Sequence, residues 1–462
     1  MNLHPTEKKV LLTILEHGMI DGGERIVTAV SGGPDSVCLL KILFKLRDEL
    51  KISLIVAHLD HGLRPREDEK ETQFVSNLAS RLNLALAYEK ASNVTKAPGT
   101  SVEEKARGIR YQFFEKVLAE HNAQKVALGH NMNDQAETVL MHLLRGSGPT
   151  GLSGIPPVRE NRFIRPLIQV TRDEIHAYLK QQEIPFMVDS SNLEKRYLRN
   201  KMRLELMPVL LAYQPRLIQH LGELASLCRE ENQFMEEEAR KGFESVTLDS
   251  SKNAIDLSIA SLQELPFPLQ YRIIRQAIKQ IKGNLRRIDI GHIKAIIDLA
   301  NNVKPQLKTN LPEKLIVAKI YERLRFSLGT EVETSDYAYC IEQMGRFHLH
   351  EINQTILLEE QPTKAFLGYS PSPQEAFVDL DRIEWPLLIR NFRAGDEFMP
   401  LGLNGFRKVK DVFIDNKIPS DQRKKVPVLK SRDDIVWVCG IQIDQRYRVT
   451  EDTKRILRCR VE

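Results

Sequence analysis

Paired cysteines are missing from this chain. The five it carries, Cys38, Cys228, Cys340, Cys439 and Cys459, are scattered, and none forms a C-x-x-C pair. An odd, dispersed set builds neither a disulfide framework nor a zinc site, and it fits a reducing compartment. Long apolar runs are missing as well. The stretch Val10 to Leu15 near the start is too short for a signal-peptide core. Nothing approaches the roughly 18 apolar residues that span a bilayer. A soluble, cytoplasmic protein with no membrane partner is therefore expected. Internal repeats and low-complexity segments are absent too, and so is a Walker lysine in a G-x-x-x-x-G-K-[ST] setting, which disfavours an ordinary P-loop NTPase.

What remains is a globular composition, with 42% hydrophobic and 28% charged residues over 462 positions. That length holds about three domains. Net charge is only +5, but it is unevenly spread. From Pro386 to Glu462 there are 17 Lys/Arg against 11 Asp/Glu, a net of +6, so everything before sums to −1. A solvated basic surface and a nucleic-acid face both fit that excess.

The first 190 residues alternate strand-like and helix-like segments. RIVTAV precedes a helix over 35–50, and ISLIVAHLD precedes one over 67–82. LALAYEK leads to a helix opening at Ser101, where Ser101 and Glu104 form a capping box. KVALGH leads to a helix over 132–144, and a further helix starts at Thr171 with Glu174 completing a second box. Apolar strands alternating with amphipathic helices predict a parallel α/β sheet covered on both faces. Between them RGSGPTGLSGIPP, residues 145–157, reads as a loop without regular structure. From about 214 to 335 the pattern turns helical, and from about 336 short strand-like pieces dominate: FHLHEI, QTILLEE, IVWVCGIQI and ILRCRVE. The expected division is 1–214, 215–335 and 336–462.

The chemistry concentrates in Ser31-Gly32-Gly33-Pro34-Asp35-Ser36, between the first strand and its helix. Such a junction is an anion site, because backbone N–H groups converge there and the helix dipole favours negative charge. Gly32 and Gly33 let the backbone approach a ligand, and Ser31 and Ser36 add hydroxyls. Asp35 would repel a phosphate unless a cation lay between them, which points to Mg²⁺. Gly129-His130-Asn131-Met132-Asn133-Asp134-Gln135-Ala136-Glu137-Thr138 stands at the fourth strand–helix junction, with Asp134 and Glu137 three apart on one helix face. Arg196, Arg199 and Arg203 recur at three and four, a cationic stripe that needs an anion to meet.

SGGPDS resembles the pyrophosphate-binding loop of the N-type ATP pyrophosphatases, which cleave ATP between the α and β phosphates and adenylate an acceptor oxygen. His58-Leu59-Asp60-His61-Gly62-Leu63-Arg64 and the Gly129–Thr138 stretch resemble motifs shared by lysidine synthetase and the tRNA-thiolating branch. Asp189-Ser190-Ser191-Asn192 followed by Arg199-Asn200-Lys201-Met202-Arg203 resembles the lysidine synthetase signature. Arg393-Ala394-Gly395-Asp396, Pro400-Leu401-Gly402 and Lys408 to Phe413 are similar to the C-terminal tRNA-binding domain of longer members.

The resemblance implies a Rossmann-like sheet with the pyrophosphatase loop, then a helical domain, then a small α+β domain. It also implies ATP and Mg²⁺ as cofactors, and an isoleucine tRNA with a CAU anticodon and free lysine as partners. A homodimer is left open. The reaction implied is adenylation of carbon 2 of the wobble cytidine, followed by displacement of AMP by the lysine ε-amine. Site residues follow position by position. Ala29, Ser31 through Ser36, His58, Leu59, Gly129 and His130 would bind ATP, with Asp35 on the metal. Asp134 and Glu137 would orient and deprotonate lysine. Arg199 and Arg203 would act on the phosphoryl group or on tRNA phosphates. Arg196, Asn200, Arg393, Lys408 and Lys410 would bind tRNA. A tRNA-thiolating enzyme and a non-catalytic nucleotide-sensing tRNA binder are the alternatives.

Overall fold

The computed structural model describes residues 3–60, 62, 65–91, 102–188, 198–329, 335–362, 372, 374–420 and 422–462. The Ser101–Glu104 capping box, His61, Leu63, Arg64, Arg196 and the Asp189–Asn192 stretch lie outside the described residues or side chains. The chain divides into two compact units, residues 1–235 and 236–462.

The first unit runs α1 (Pro5–Glu16), β1 (Arg25–Ala29), α2 (Pro34–Leu50), β2 (Ser53–Asp60), α3 (Pro65–Arg81), β3 (Ala85–Lys90), α4 (Val102–Glu120) and β4 (Lys125–Ala127). It continues through α5 (Met132–Leu144), α6 (Pro149–Leu152), β5 (Val158–Arg159), β6 (Phe163–Ile164), α7 (Arg172–Gln181), α8 (Leu198–Lys201) and α9 (Met207–Tyr213). The 30-residue α10 (Leu217–Val246) begins in this unit. The sheet order is β3-β2-β1-β4-β6-β5, parallel except for the β5–β6 pair.

Alternation along each strand feeds two cores. Ile26, Val56, Ala127 and Ile164 face a cluster built with α1, α2, α3 and α7. Their neighbours Val27, Ala57, Val126 and Phe163 face Phe113, Phe114, Val117 and Leu118 of α4. With both faces covered, the strands carry near-continuous Val, Ile and Leu. Each such side chain fully buried contributes about 1.5–3 kcal/mol. The chain leaves β1 toward β2 on one side and returns with β4 on the other. The crevice outside the carboxyl ends of β1 and β4 is thus a topological switch point, where open α/β sheets bind ligands.

The stretch 145–157 departs from the loop expectation. It contains α6 and is tied down at several points. Gln135 on α5 accepts from the Ile155 N–H at 2.6 Å and donates to the Ile155 carbonyl, and Arg229 on α10 donates to the Ser153 carbonyl. A Cβ at Gly154 would stand 2.5 Å from the Gln135 amide, so the glycine makes room for this clamp.

The second unit opens with β7 (Thr247–Ser250), β8 (Ala254–Ser258), α11 (Ile259–Gln263), α12 (Phe267–Lys282), α13 (Ile290–Asn301), β9 (Gln306–Leu311), β10 (Leu315–Ile320) and β11 (Arg323–Leu328). The purely helical expectation for this stretch is corrected. Alongside the helices stands an antiparallel sheet in the order β7-β8-β11-β10-β9. Its strands are short and alternate charged with apolar residues, as in Arg323-Leu324-Arg325-Phe326, because only one face meets the core.

Three further sheets follow among the described residues, as the strand-like pieces predict. β12 (Ala338–Ile341), β13 (Gly345–Leu349), β14 (Gln354–Gln361), β15 (Glu375–Asp379), β16 (Leu387–Asn391), β17 (Glu397–Phe398), β18 (Arg407–Lys408), α14 (Val409–Asp415), β19 (Pro427–Ser431), β20 (Asp434–Val438), β21 (Gln442–Ile443) and β22 (Ile456–Val461) complete the chain. They pair as β12-β16-β19-β20-β21, β13-β14-β22-β15 and β17-β18 around a core containing Trp437.

Candidate active site

The glycine loop sits at the switch point. Gly32 has φ +89°, a left-handed conformation that a residue with a Cβ avoids. Gly33 occupies the N-cap of α2 without any side-chain cap, and Pro34 supplies the helical φ of the first turn. The free N–H groups of that turn therefore face the loop. Ser36 folds the loop on itself: its Oγ donates to the Gly33 carbonyl at 3.0 Å and accepts from the Ser31 N–H at 3.2 Å. The Met187 N–H closes the outer side on the Gly32 carbonyl at 2.9 Å.

Gly129, at the end of β4, lies against the start of α2. A Cβ there would meet the Ser36 nitrogen at 3.2 Å and the Asp35 carbonyl carbon at 3.3 Å. This contact presses the second motif onto the loop. Ala29, His58 and Leu59 stand at the carboxyl ends of β1 and β2 beside it. The His58 ring is turned inside, with Nδ1 on the Val30 carbonyl at 2.8 Å and Nε2 on Thr72, and burial lowers its pKa. Its side chain is a strut, which leaves the main chain for any nucleotide contact.

Asp35 projects from the first turn of α2. Its Oδ1 is buried and without a hydrogen-bond partner. Burial and the neighbouring Asp134 raise its pKa, opposed by Arg172, the Asn131 amide and Arg203. An orphaned carboxylate oxygen beside a glycine loop fits a cation: with phosphate oxygens and water, Asp35 would hold Mg²⁺.

Asp134 and Glu137 lie on the first turns of α5, which Asn131 caps reciprocally with Asp134. Glu137 is almost wholly buried and engaged at both oxygens. Arg203 grips it bidentately at 2.7 and 2.9 Å, and the Arg199 Nε donates to it at 2.8 Å. Asp134 Oδ1 receives Arg199 at 3.2 Å and Arg203 at 3.4 Å. The anions that Arg199 and Arg203 meet are thus these two carboxylates. Glu137, with both oxygens taken, acts as a counterion that fixes the guanidinium groups.

The helical segment bearing Arg199 and Arg203 is not regular. Between α8 and α9, residues Met202–Leu206 form a π-turn, with the Met207 N–H on the Met202 carbonyl. Pro208 follows directly, and a proline cannot donate to the carbonyl four residues back and clashes with it. The wide turn relieves that clash, and such turns recur at functional sites.

Sequence reading missed two contributors, Arg172 and Arg165. Arg172, at the start of α7, reaches Asp134 and Glu137 at 3.6 Å each. No motif marks it; its placement follows from Thr171 capping α7 and from Asn133 Oδ1 accepting the Arg172 N–H at 2.9 Å. Arg165 is buried and donates to the Pro156 carbonyl at 2.6 Å. The charges of Arg165, Arg199, Arg107 and Arg110 act on His130. Burial first, then these charges, push the His130 pKa down to about 3, and its Nδ1 is buried without a partner. Its ring is neutral at physiological pH. Cys38 is buried in α2, and burial raises its thiol pKa, so it is no nucleophile.

Arg393, Lys408 and Lys410 lie in the second unit and are exposed. Asp396 of the same motif is internal: Arg390 holds it bidentately at 2.8 and 2.6 Å, and it accepts the Arg393 N–H. Nearby, Phe406 is 55% exposed with the Arg446 guanidinium 5.1 Å from its ring centre.

Comparison with known proteins agrees along the whole chain. A PP-loop domain model matches residues 4–210, and a TilS substrate C-terminal domain model matches residues 382–461. The chain is 34% identical to a tRNA(Ile)-lysidine synthase of Symbiobacterium thermophilum, over 99% of this chain and 98% of the relative. Identity is 33% to that of Clostridioides difficile, over 97% and 98%. It is 34% to that of Geobacter sulfurreducens, over 98% and 96%.

Proposed function

The chain belongs to the tRNA(Ile)-lysidine synthase family, and from that premise we propose how its residues divide the work. It is a tRNA-modifying ligase that uses ATP. In the proposed course, the carbonyl oxygen on carbon 2 of the wobble cytidine attacks the α-phosphate and pyrophosphate leaves. The ε-amine of free lysine then adds at carbon 2 and AMP departs. Adenylation comes first because a carbonyl oxygen is a poor leaving group.

Ser31 through Ser36 and Gly129 cradle the phosphates, with the free N–H groups of α2 donating. Asp35 holds Mg²⁺, which when bound neutralises charge on the phosphate oxygens. The main chain at Ala29, His58 and Leu59 carries adenosine. Asp134 orients the lysine ammonium and takes its proton, since only the neutral amine is nucleophilic. Glu137 holds Arg199 and Arg203 around that carboxylate. Residues 1–214 form the catalytic part in this reading. Residues 215–335 and 336–462 grip tRNA, the latter with Arg393, Lys408 and Lys410 on phosphates.

The orphaned Asp35 carboxylate at the switch point, facing Asp134 and its arginines, carries this reading. The test is incubation with ATP, Mg²⁺, radiolabelled lysine and unmodified CAU-anticodon isoleucine transcript, omitting each in turn. Label in the digested nucleoside and stoichiometric AMP are expected, and Asp35→Ala should abolish both while tRNA affinity stays. AMP release without lysine incorporation would defeat the assignment.

A further inference from the structure

Three guanidinium groups surround the Asp134–Glu137 pair, and they are not equivalent. Arg203 and Arg199 are committed, making bonds of 2.7–2.9 Å to a carboxylate whose side chain is 2% exposed. Withdrawing either toward a substrate would break short charge-assisted bonds to a buried carboxylate, and withdrawing Arg203 would strip Glu137 Oε1 of its hydrogen bond. Arg172 has no such commitment. It stands 3.6 Å from Asp134 and from Glu137, beyond hydrogen-bond length, and its guanidinium makes no hydrogen bond among the described residues. Its side chain is 23% exposed, close to Arg203 at 24% and below Arg199 at 32%, so hydrogen bonding and not exposure sets it apart.

Its base is nevertheless fixed. The Arg172 N–H is held by Asn133, and Thr171 and Glu174 cap α7 reciprocally. Asn133 belongs to the same helix turn as Asp134, so the two motifs are locked in register. Arg172 also acts electrostatically on Asp35, ahead of Arg203. Its 3.6 Å ion pair with Asp134 and its field at Asp35 tie it to both the carboxylate that receives the amine and the loop that receives the triphosphate.

We propose that Arg172 is the guanidinium that leaves the carboxylate pair to meet the α-phosphate during adenylation, while Arg199 and Arg203 remain as the counterions of Glu137. This rests on the synthase reading above. In the step, the cytidine oxygen forms a bond to the α-phosphorus, the bond from that phosphorus to the bridging oxygen breaks, and pyrophosphate carries off the electron pair. Arg172 gains two N–H contacts on the phosphoryl oxygens as their charge changes.

The test is a single-turnover assay of the full-length protein with ATP labelled at the α-phosphate, transcript and Mg²⁺, with and without lysine. Arg172→Ala should slow adenylate formation on the order of 10²–10³-fold, the effect of removing one such donor. Its melting temperature and tRNA affinity should match wild type. Added guanidinium ion should restore part of the rate, whereas Arg172→Lys should restore little because a point charge cannot replace a fork. Arg203→Ala should lower the melting temperature. An Arg172→Ala rate within twofold of wild type would overturn the assignment, as would a loss matched by equal destabilisation and no rescue. A wild-type protein that forms no adenylate would instead defeat the synthase reading.

Discussion

At the scale of single residues, the site holds its charges at a cost to the free protein. Asp35 is the clearest case, because burial and Asp134 both disfavour its ionised form. A carboxyl whose folded pKa lies above its ordinary 3.8 binds protons more tightly folded than unfolded. Its stabilising contribution is present below 3.8 and is lost as pH rises through the folded value. At pH 7 the ionised group is a net burden. Asp35→Asn should therefore melt higher than wild type at pH 7 by a few degrees, with the gap closing toward pH 4, while activity vanishes. Thermal melts at both pH values decide this; a lower melting point at pH 7 would contradict the burial argument.

Elements place these residues more than their own neighbours do. The π-turn over Met202–Leu206 lets Arg199 and Arg203 converge on one carboxylate although a proline interrupts the helix at 208. Replacing that proline removes the reason for the wide turn, since residue 208 could then donate within a regular α-helix. Pro208→Ala should leave the melting temperature equal or higher yet reduce kcat on the order of 10²-fold, the cost of an ångström-scale misplacement. Steady-state kinetics with unchanged activity would detach the turn from the chemistry. The 145–157 segment, clamped by Gln135 and Arg229, is likewise an ordered element of the site's surroundings.

For the whole molecule, charge distribution is the relevant quantity. The surplus of basic residues lies after Pro386, in the stretch that carries exposed Lys408 and Lys410. Binding through phosphates releases counterions, so affinity falls with salt in proportion to the contacts made. Lys408→Gln with Lys410→Gln should flatten the slope of log K against log salt by about 1–2 and leave adenylation of bound tRNA intact. Binding isotherms across a salt series measure it, and an unchanged slope would remove these lysines from the interface. Among the described residues no helix is long and apolar enough to cross a membrane.

The local record was legible from residue order. Strand–helix alternation, the Gly32 bend, the capping of α7 and the acid pair on one helix face all follow from spacings of a few positions, which propensity and periodicity govern. The sheet in residues 247–328 was hidden because one-sided strands read as charged runs. Partner choice was hidden more deeply. Arg199 and Arg203 meet Glu137 across 62 and 66 positions, Arg172 joins them from a third helix, and Asp35 is left unpaired. Such contacts depend on how β1 and β4 sit side by side, and burial there decides which charges are neutralised and which wait for substrate. Only the folded chain brings that low-dielectric surrounding into being.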